Sequence, residues 1–453
     1  MLKLFDTARG RIVPFEPREP GKVSMYVCGP TVYGPPHLGH GRFALVFDVL
    51  RRYLEWTGAQ VDYVSNITDI DDKIIQRAND EGRDPAKIAI KCESIWYKAM
   101  DAIGVKRPTA DPHATAYVDQ MVACIADLVE RGTAYETSDG VYFSAESVAD
   151  YGLLARQDIE DLRSGDRVAH SDEKRSPIDF VLWKKAKPDE PTWDSPWGPG
   201  RPGWHTECVV MALDLLGEGF DLHGGGQDLA FPHHENERAQ AVAADRAFAT
   251  HWMHNGFVEV GGEKMSKSLG NYSNLLDLVA EHDPRAYRLL VLQSHYRSPL
   301  EITRPTIERA EATLERLDNF ARRTATLPLE SQADAETLAR FRELMDDDLN
   351  TPGAIDLLFT RLRAANAALD MEDFNTAGEL AAAVTEMTVA MGLVLDTGAG
   401  RAAVPNDILE LATRRDAARA AKDFAAADGL RDEIAAAGYV VTDTADGAEV
   451  RPA

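Results

Sequence analysis

The sequence predicts an α/β protein: a doubly wound parallel sheet of Rossmann type with an insertion, followed by an α-helical bundle and a small C-terminal domain. Strand-like and helix-like segments alternate near the N-terminus. A stretch dense in Pro, Gly and Trp, residues 185–203, interrupts that alternation as a connection. From about Thr306 the composition changes to Ala, Leu, Glu and Arg, which is typical of a helical bundle.

The N-terminal elements follow one another as strand, helix, strand and helix. Residues 22–28 form a short β-prone run, and residues 29–36 form a turn rich in Gly and Pro. His40 then opens a helix in which apolar residues recur at helical spacing. Residues 61–64 are predicted to form the next strand, and a helix is predicted from Asp69 onward. This spacing favours a parallel sheet with crossover helices.

Further elements are predicted beyond the insertion. Residues 220–222 are β-like and precede three glycines, and residues 257–265 resemble a hairpin that turns on two further glycines. Two predicted linkers, 327–335 and 396–405, bracket one helical bundle and set off a C-terminal piece of about fifty residues.

The composition is that of a globular protein with a strongly acidic surface. The 453 residues include 49 Lys and Arg against 74 Asp and Glu, a formal net charge of −25. Such a charge disfavours loose adhesion to nucleic acids, but a local basic patch can still bind RNA. The N-terminus lacks the layout of a signal peptide, and no apolar run approaches eighteen residues, so we expect a cytoplasmic protein without a membrane partner.

The chain has four cysteines, and no pair of them forms a CxxC motif. Disulfides are not expected in a reducing cytoplasm. Cys92 and Cys124 lie in helix-like stretches and are interpreted as ordinary buried residues. Cys28 and Cys208 stand beside glycine and histidine in loop-like surroundings and need another explanation.

A histidine pair lies at the first predicted strand-to-helix junction. His37 and His40 flank Leu38 and Gly39, and the glycine allows a ligand to approach the backbone. Two imidazoles at a helix N-terminus suit a triphosphate and can donate hydrogen bonds to charge developing on its α-phosphate. A pair of surface histidines without a ligand is the alternative, and this tetrapeptide alone does not decide between the two.

A lysine-rich loop follows the predicted hairpin. Lys264 and Lys267 lie in the sequence KMSKS and could hold a leaving pyrophosphate, although lysine-rich loops are usually only solvated. The combination of HxGH early and KMSKS late, with α/β sequence between them, is the signature of class I aminoacyl-tRNA synthetases.

A candidate metal site combines distant segments. His233 and Glu237 are four residues apart in a predicted helix, residues 231–240, so both side chains would share one face. With thiolates from Cys28 and Cys208 they would form a ligand set suited to tetrahedral Zn²⁺. Spacing alone leaves His234 as an equal alternative to His233, and buried cysteines beside solvent-facing charges are the alternative to any metal site.

Five segments together resemble those of cysteinyl-tRNA synthetases. They are YVCGPTVYGPPHLGHGR (26–42), NITDIDDKI (66–74), GRPGWHTEC (200–208), DLHGGGQDLAFPHHENE (221–237) and KMSKSLGN (264–271). The resemblance covers most of residues 1–320 and is weaker in the helical C-terminal part.

The resemblance implies a role for each matching residue. In that family the zinc ligands fall at Cys28, Cys208, His233 and Glu237, so the resemblance selects His233. The catalytic positions are His37, His40, Lys264 and Lys267. The ATP-binding positions are Gly39, His40, Gly224, Gly225, Asp228 and Lys267. The positions that line the amino-acid pocket are Gly29, Thr68 and Trp204.

The resemblance also implies a substrate set and a domain plan. The substrates are L-cysteine, ATP with Mg²⁺, and tRNA(Cys), and one Zn²⁺ per chain binds the substrate thiolate and excludes serine; the protein is expected to be a monomer. The expected segments are 1–115 and 201–250 for the Rossmann catalytic domain, 116–200 for the connective insertion, 251–310 for the KMSKS junction, 311–400 for the helical bundle and 401–453 for the anticodon-binding domain.

The sequence leaves two alternative functions and predicts one basic surface. A related ligase could pass the same cysteinyl-adenylate to an amino sugar, and a catalytically inactive paralogue could serve as a scaffold. Arg415, Arg419 and Lys422, extended by Arg414, recur at helical spacing and predict a basic ridge for tRNA. Val450 stands about where many family members carry a Trp, which leaves one aromatic contact to the anticodon in question.

Overall fold

The structure is a computed structural model that describes residues 1–156, 173–188, 190–259, 274–325, 331–399, 405–444 and 447–452. The chain divides into two compact units, Met1–Leu395 and Asp396–Ala453. Within the described ranges, none of the helices has both the length and the apolar character needed to cross a membrane.

The strands of the first unit are β1 (Lys3–Asp6), β2 (Arg11–Pro14), β3 (Lys22–Val27), β4 (Gln60–Val64), β5 (Ala134–Glu136), β6 (Gly140–Phe143), β7 (Phe180–Lys185), β8 (Gly200–Pro202), β9 (Leu222–Gly226), β10 (Trp252–Asn255), β11 (Val258–Glu259) and β12 (Leu300–Glu301). Its helices are α1 (Leu38–Trp56), α2 (Asp72–Glu81), α3 (Pro85–Ala102), α4 (Val118–Glu130), α5 (Trp204–Leu216), α6 (Glu235–Ala243), α7 (Leu275–Glu281), α8 (Pro284–Leu292), α9 (Arg304–Ala325), α10 (Ala335–Asp346), α11 (Thr351–Asp370) and α12 (Phe374–Ala390).

The central sheet is parallel and confirms the predicted fold class. Its strand order is β10-β9-β3-β4, and every neighbouring pair runs in the same direction. From β3 the chain passes through α1 to β4, at one edge of the sheet. From β9 it passes to β10, at the opposite edge, so the strand order reverses between β3 and β9. Such a switch point opens a crevice at the carboxyl ends of the strands, where α/β proteins bind ligands.

The helix α1 begins two residues before the predicted His40, because His37 caps it. The ring Nδ1 of His37 accepts the His40 backbone N–H at 3.4 Å, and His40 Nδ1 accepts the His37 backbone N–H at 3.1 Å. Gly58, with φ 97°, follows the end of the helix. The apolar residues that predicted this helix, Phe43, Phe47, Leu50 and Leu54, are all buried.

The helix predicted from Asp69 begins only at Asp72, so that boundary was wrong. Asp71 is the N-cap, and its carboxylate accepts the backbone N–H of Lys73 at 2.9 Å. Asp69 instead accepts the backbone N–H of Thr115 at 2.9 Å and is held outside the helix. A run of aspartates offers several possible caps, and this tertiary contact decides between them.

An insertion and a bundle complete the first unit. The insertion carries an antiparallel sheet of order β5-β6-β7-β8, packed with α4 around the fully buried Trp183. The bundle helices share one hydrophobic core with the parallel sheet. The predicted hairpin turn and the KMSKS residues Lys264 and Lys267 lie outside the described residues, and β11 pairs in parallel with β12.

The second unit contains α13 (Asn406–Ala420), α14 (Phe424–Ala436), β13 (Tyr439–Thr444) and β14 (Gly447–Pro452). The two strands form an antiparallel pair in which Val450 faces Val441 and packs against the unit's core. Arg415 is only 4% exposed, so its inclusion in the basic ridge was wrong. Arg414, Arg419 and Lys422 are exposed.

Candidate active site

A cavity of about 350 Å³ opens at the carboxyl ends of β3 and β9, at the switch point of the sheet. Many residues singled out from the sequence line it. They are Cys28, Gly29, His37, Gly39, His40, Trp204 and Asp228. The location agrees with the general rule for ligand sites in open α/β sheets.

Three predicted residues lie beside the cavity and do not line it. Thr68 is buried, and its hydroxyl donates to Glu207 Oε2 at 2.9 Å. A Cβ on Gly224 would lie 2.3 Å from the Phe47 ring, and one on Gly225 would lie 2.9 Å from the His234 ring. These two glycines therefore allow close packing on both faces of β9.

Cys28, Cys208, His233 and Glu237 bring their donor atoms together in a buried cluster that meets the cavity at Cys28. The Sγ atoms of the two cysteines are 3.7 Å apart, and Cys208 Sγ lies 3.6 Å from His233 Nε2. Glu237 Oε1 lies 3.5 Å from Cys28 Sγ and 3.0 Å from His233 Nε2. The four residues predicted from segments as far as 209 positions apart thus surround one point.

These distances fit the edges of a small tetrahedron. An ion about 2.3 Å from each sulfur and about 2.0 Å from nitrogen would hold two sulfurs about 3.8 Å apart and a sulfur and a nitrogen about 3.5 Å apart. The observed separations, 3.7 and 3.6 Å, match both values. A second set of donors, in which His223 and His234 replace Cys208 and His233, also lies within reach of one ion.

The chain reaches the cluster from four places. Cys28 directly follows β3, Cys208 lies in α5, and Glu237 is in the first turn of α6. The helix predicted over 231–240 is confirmed from Pro232 onward, with a π-helical turn before α6 starts at Glu235; its first residue, Phe231, has extended backbone dihedrals (φ −142°, ψ 133°). His233 therefore comes from a distorted turn that still directs its ring toward Glu237.

Two further histidines contact the cluster from outside. The Nδ1 of His205 lies 2.8 Å from the Nδ1 of His233, and His223 Nε2 lies 2.7 Å from Glu237 Oε2. Partners of this kind fix the orientation of metal ligands. Sequence reasoning missed His205, although it directly follows Trp204, whose ring stacks on His233 at 3.9 Å.

Burial determines which protonation states the four residues of the cluster favour. It raises the pKa of the Cys28 and Cys208 thiols and of the Glu237 carboxyl, and it lowers the pKa of His233. Neutral forms are therefore favoured in the protein alone. A divalent cation would reverse this preference for the three acids, because its charge compensates theirs.

The histidine pair has a defined tautomer in its neutral form. Because each Nδ1 accepts a backbone N–H, the proton of each neutral ring lies on Nε2. Burial, followed by the charges of His37 and Lys73, lowers the pKa of His40 to about 3. The Trp96 ring packs edge-on against His40 at 5.7 Å. The pair thus offers neutral N–H donors at the cavity wall.

Comparisons with known proteins identify the class to which this fold belongs. Residues 14–312 match the family described as tRNA synthetases class I (C) catalytic domain, residues 340–396 match the DALR domain, and residues 401–451 match the cysteinyl-tRNA ligase anticodon binding domain. A methionyl-tRNA synthetase from Mycobacterium tuberculosis, solved with methionyl-adenylate, shares the fold at a TM-score of 0.63 and 15% identity, over 82% of this chain and 90% of that chain. The fold and site therefore define a class I aminoacyl-tRNA synthetase.

Curated relatives narrow the class to one family. A cysteine–tRNA ligase of Halorhodospira halophila is 46% identical over 100% of this chain and 99% of its own length. One from Thioalkalivibrio sulfidiphilus is 47% identical over 98% of both chains. The chain belongs to the cysteine–tRNA ligase family.

Proposed function

We propose that this protein activates L-cysteine with ATP and transfers the cysteinyl group to tRNA(Cys). The carboxylate of cysteine attacks the α-phosphorus of ATP, the bond to the β-phosphate breaks, and pyrophosphate leaves. The 3′-terminal ribose hydroxyl of the tRNA then attacks the cysteinyl carbonyl, and AMP leaves. One observation carries the proposal: the cluster of Cys28, Cys208, His233 and Glu237 lies beside a cavity lined by the histidine pair.

The residues of the chain divide this work between the two ends of the cavity. His37 and His40 donate through Nε2–H to the phosphates, where negative charge increases as pyrophosphate leaves. Lys264 and Lys267, by resemblance, hold the same leaving group from the loop. Trp204 and Gly29 line the amino-acid end, with Thr68 buried beside it, and Asp228 lines the nucleotide end, with Gly224 and Gly225 packed beside it.

The donor atoms of the cluster fit a zinc ion. A separate magnesium ion is expected to enter with ATP. Cys28, Cys208, His233 and Glu237 would hold one Zn²⁺, which favours the thiolate form of a cysteine side chain and offers a serine hydroxyl no comparable bond. The support is the two-sulfur composition and the edge lengths of the tetrahedron. His205 and His223 would keep His233 and Glu237 in place.

The remaining expectations are part of the same proposal. We retain the six predicted segments (1–115, 116–200, 201–250, 251–310, 311–400 and 401–453), a cytoplasmic location and a monomeric state. Light scattering of the purified protein that gives a dimer mass would overturn the monomer.

Charging of total tRNA with radiolabelled cysteine tests the proposal. The expected result is ATP-dependent, acid-precipitable label that appears only when tRNA is present. Cysteine-dependent pyrophosphate exchange without any tRNA charging would favour an amino-sugar acceptor, and the absence of both reactions would favour a binding scaffold.

A further inference from the structure

Lys73 lines the active-site cavity, although no role follows for it from the reaction described above. It lies in the first turn of α2 and belongs to the segment NITDIDDKI, of which only Thr68 has been used so far. Its Nζ lies 5.1 Å above the centre of the Tyr33 ring, which also lines the cavity. The charge of Lys73 lowers the pKa of His40, after burial and His37, so the ammonium group acts on this imidazole.

The carboxylates of the same segment are all occupied elsewhere. Asp69 accepts from Thr115, and Asp71 caps α2. Asp72 pairs with Lys184 at 2.5 Å and with Arg201. Within the described parts of the chain, Lys73 has no ion-pair partner. An aspartate-rich segment therefore presents a lysine, and no carboxylate, to the cavity.

We propose that Lys73 binds a phosphate group of the ligand in this cavity. A compact ammonium group on a flexible stem suits a phosphate oxygen, and the Tyr33 ring holds the cation at the cavity wall until the anion arrives. His37 and His40 line the same cavity as Lys73 and Tyr33, so a phosphate chain bound there would meet donors from the ammonium group and from the two neutral imidazoles. The role rests on the proposed ligase activity and adds a binding residue to it.

The phosphate could belong to ATP or to the 3′ end of the tRNA, and two assays separate these sources. Pyrophosphate exchange with cysteine needs ATP and no tRNA, whereas charging needs both ATP and tRNA. Lys73→Met removes the charge and keeps much of the stem, and Lys73→Arg restores a cation. Lys98→Met is the matched control, because Lys98 is an exposed lysine of α3 that does not line the cavity.

The expected result is a fall of roughly 10- to 100-fold in kcat/KM for ATP in the exchange reaction of Lys73→Met. The KM for cysteine should change less than about twofold, Lys73→Arg should recover most of the rate, and Lys98→Met should match the wild type. A normal exchange rate with a fall confined to charging would assign the phosphate to the tRNA end.

Two results would overturn the inference. One is that Lys73→Met exchanges and charges within about twofold of the wild type; the other is that only its KM for cysteine changes. Melting temperatures of all three variants show whether a loss comes from unfolding. Because a wild-type enzyme that exchanges pyrophosphate already supports the ligase activity, an unaffected Lys73→Met would refute this role alone. Direct titration of the wild type and Lys73→Met with ATP and Mg²⁺ gives the same comparison if exchange is absent.

Discussion

At the scale of single residues, Cys208 gives the sharpest test of the metal site. Its sulfur lies 3.7 Å from Cys28 Sγ and 3.6 Å from His233 Nε2. We expect Cys208→Ser to contain far less than one equivalent of zinc and to lose cysteine activation, because a hydroxyl is a poor replacement for a thiolate ligand.

The measurement is metal analysis of protein purified without chelator, followed by pyrophosphate exchange. Cys124→Ser is the matched control, because Cys124 packs in the insertion, away from the cluster. A full equivalent of zinc in Cys208→Ser, or zinc lost equally from both variants, would contradict the ligand assignment.

His40 predicts a dependence of stability on pH. Its pKa is about 3 in the folded protein, chiefly because of burial, and about 6.5 in an unfolded chain. As the pH falls below about 6.5 the unfolded chain binds a proton that the folded protein rejects, so the stability present at higher pH is progressively lost. Between pH 7 and pH 5 this residue should remove about 1 to 2 kcal/mol from the free energy of unfolding.

Urea unfolding of the wild type and His40→Gln at both pH values measures that contribution. Other buried histidines add to the pH dependence of both proteins, so the informative quantity is the difference between them. We expect the variant to lose less stability on acidification. An identical loss in the two proteins would show that His40 is not desolvated as described.

At the scale of elements, the sequence predicted best where local pattern and packing agree. The helix α1 was recognisable because its apolar residues recur at helical spacing, and they are the residues that fill the core. The segment 231–240 has a similar local pattern, yet Phe231 departs from helical geometry as the chain turns toward the cluster. Spacing also could not choose between His233 and His234, because both rings lie within reach of Glu237 and Cys28.

The second unit shows the same limit for surface predictions. Helical spacing placed Arg415 on a ridge, but α13 is covered by its neighbours in the unit, and Arg415 is buried. Which face of a helix is covered depends on contacts distant in sequence. The exposed cations Arg414 and Arg419 remain as the basis of a basic surface.

We expect Arg414→Ala with Arg419→Ala to weaken tRNA binding and to flatten its dependence on salt, because fewer counterions are released from the RNA. Pyrophosphate exchange without tRNA should be unchanged. Arg415→Ala is the contrasting variant: it should lower the melting temperature of the second unit, since a buried guanidinium is removed. A salt dependence equal to that of the wild type in the double variant would dismiss the basic surface.

At the scale of the whole molecule, an acidic protein must bind a polyanion. The formal charge of −25 gives the enzyme a surface that repels RNA in general, so binding has to depend on local cations. The two compact units, Met1–Leu395 and Asp396–Ala453, suggest a division of labour between chemistry and tRNA selection.

Removal of Asp396–Ala453 should spare cysteine activation and cripple charging. Equal charging efficiency with and without this unit would contradict that division.

The proposed role of the metal cluster is to select cysteine over serine. The proposed site distinguishes the two amino acids by sulfur coordination, since an apolar pocket separates groups of such similar size poorly. The measurement is pyrophosphate exchange by the full chain with cysteine or serine at equal concentrations. We expect a preference for cysteine of roughly 10⁴-fold or more, because serine would leave the site's ligand-binding groups without a partner. Exchange supported comparably by serine, or by neither amino acid, would contradict it.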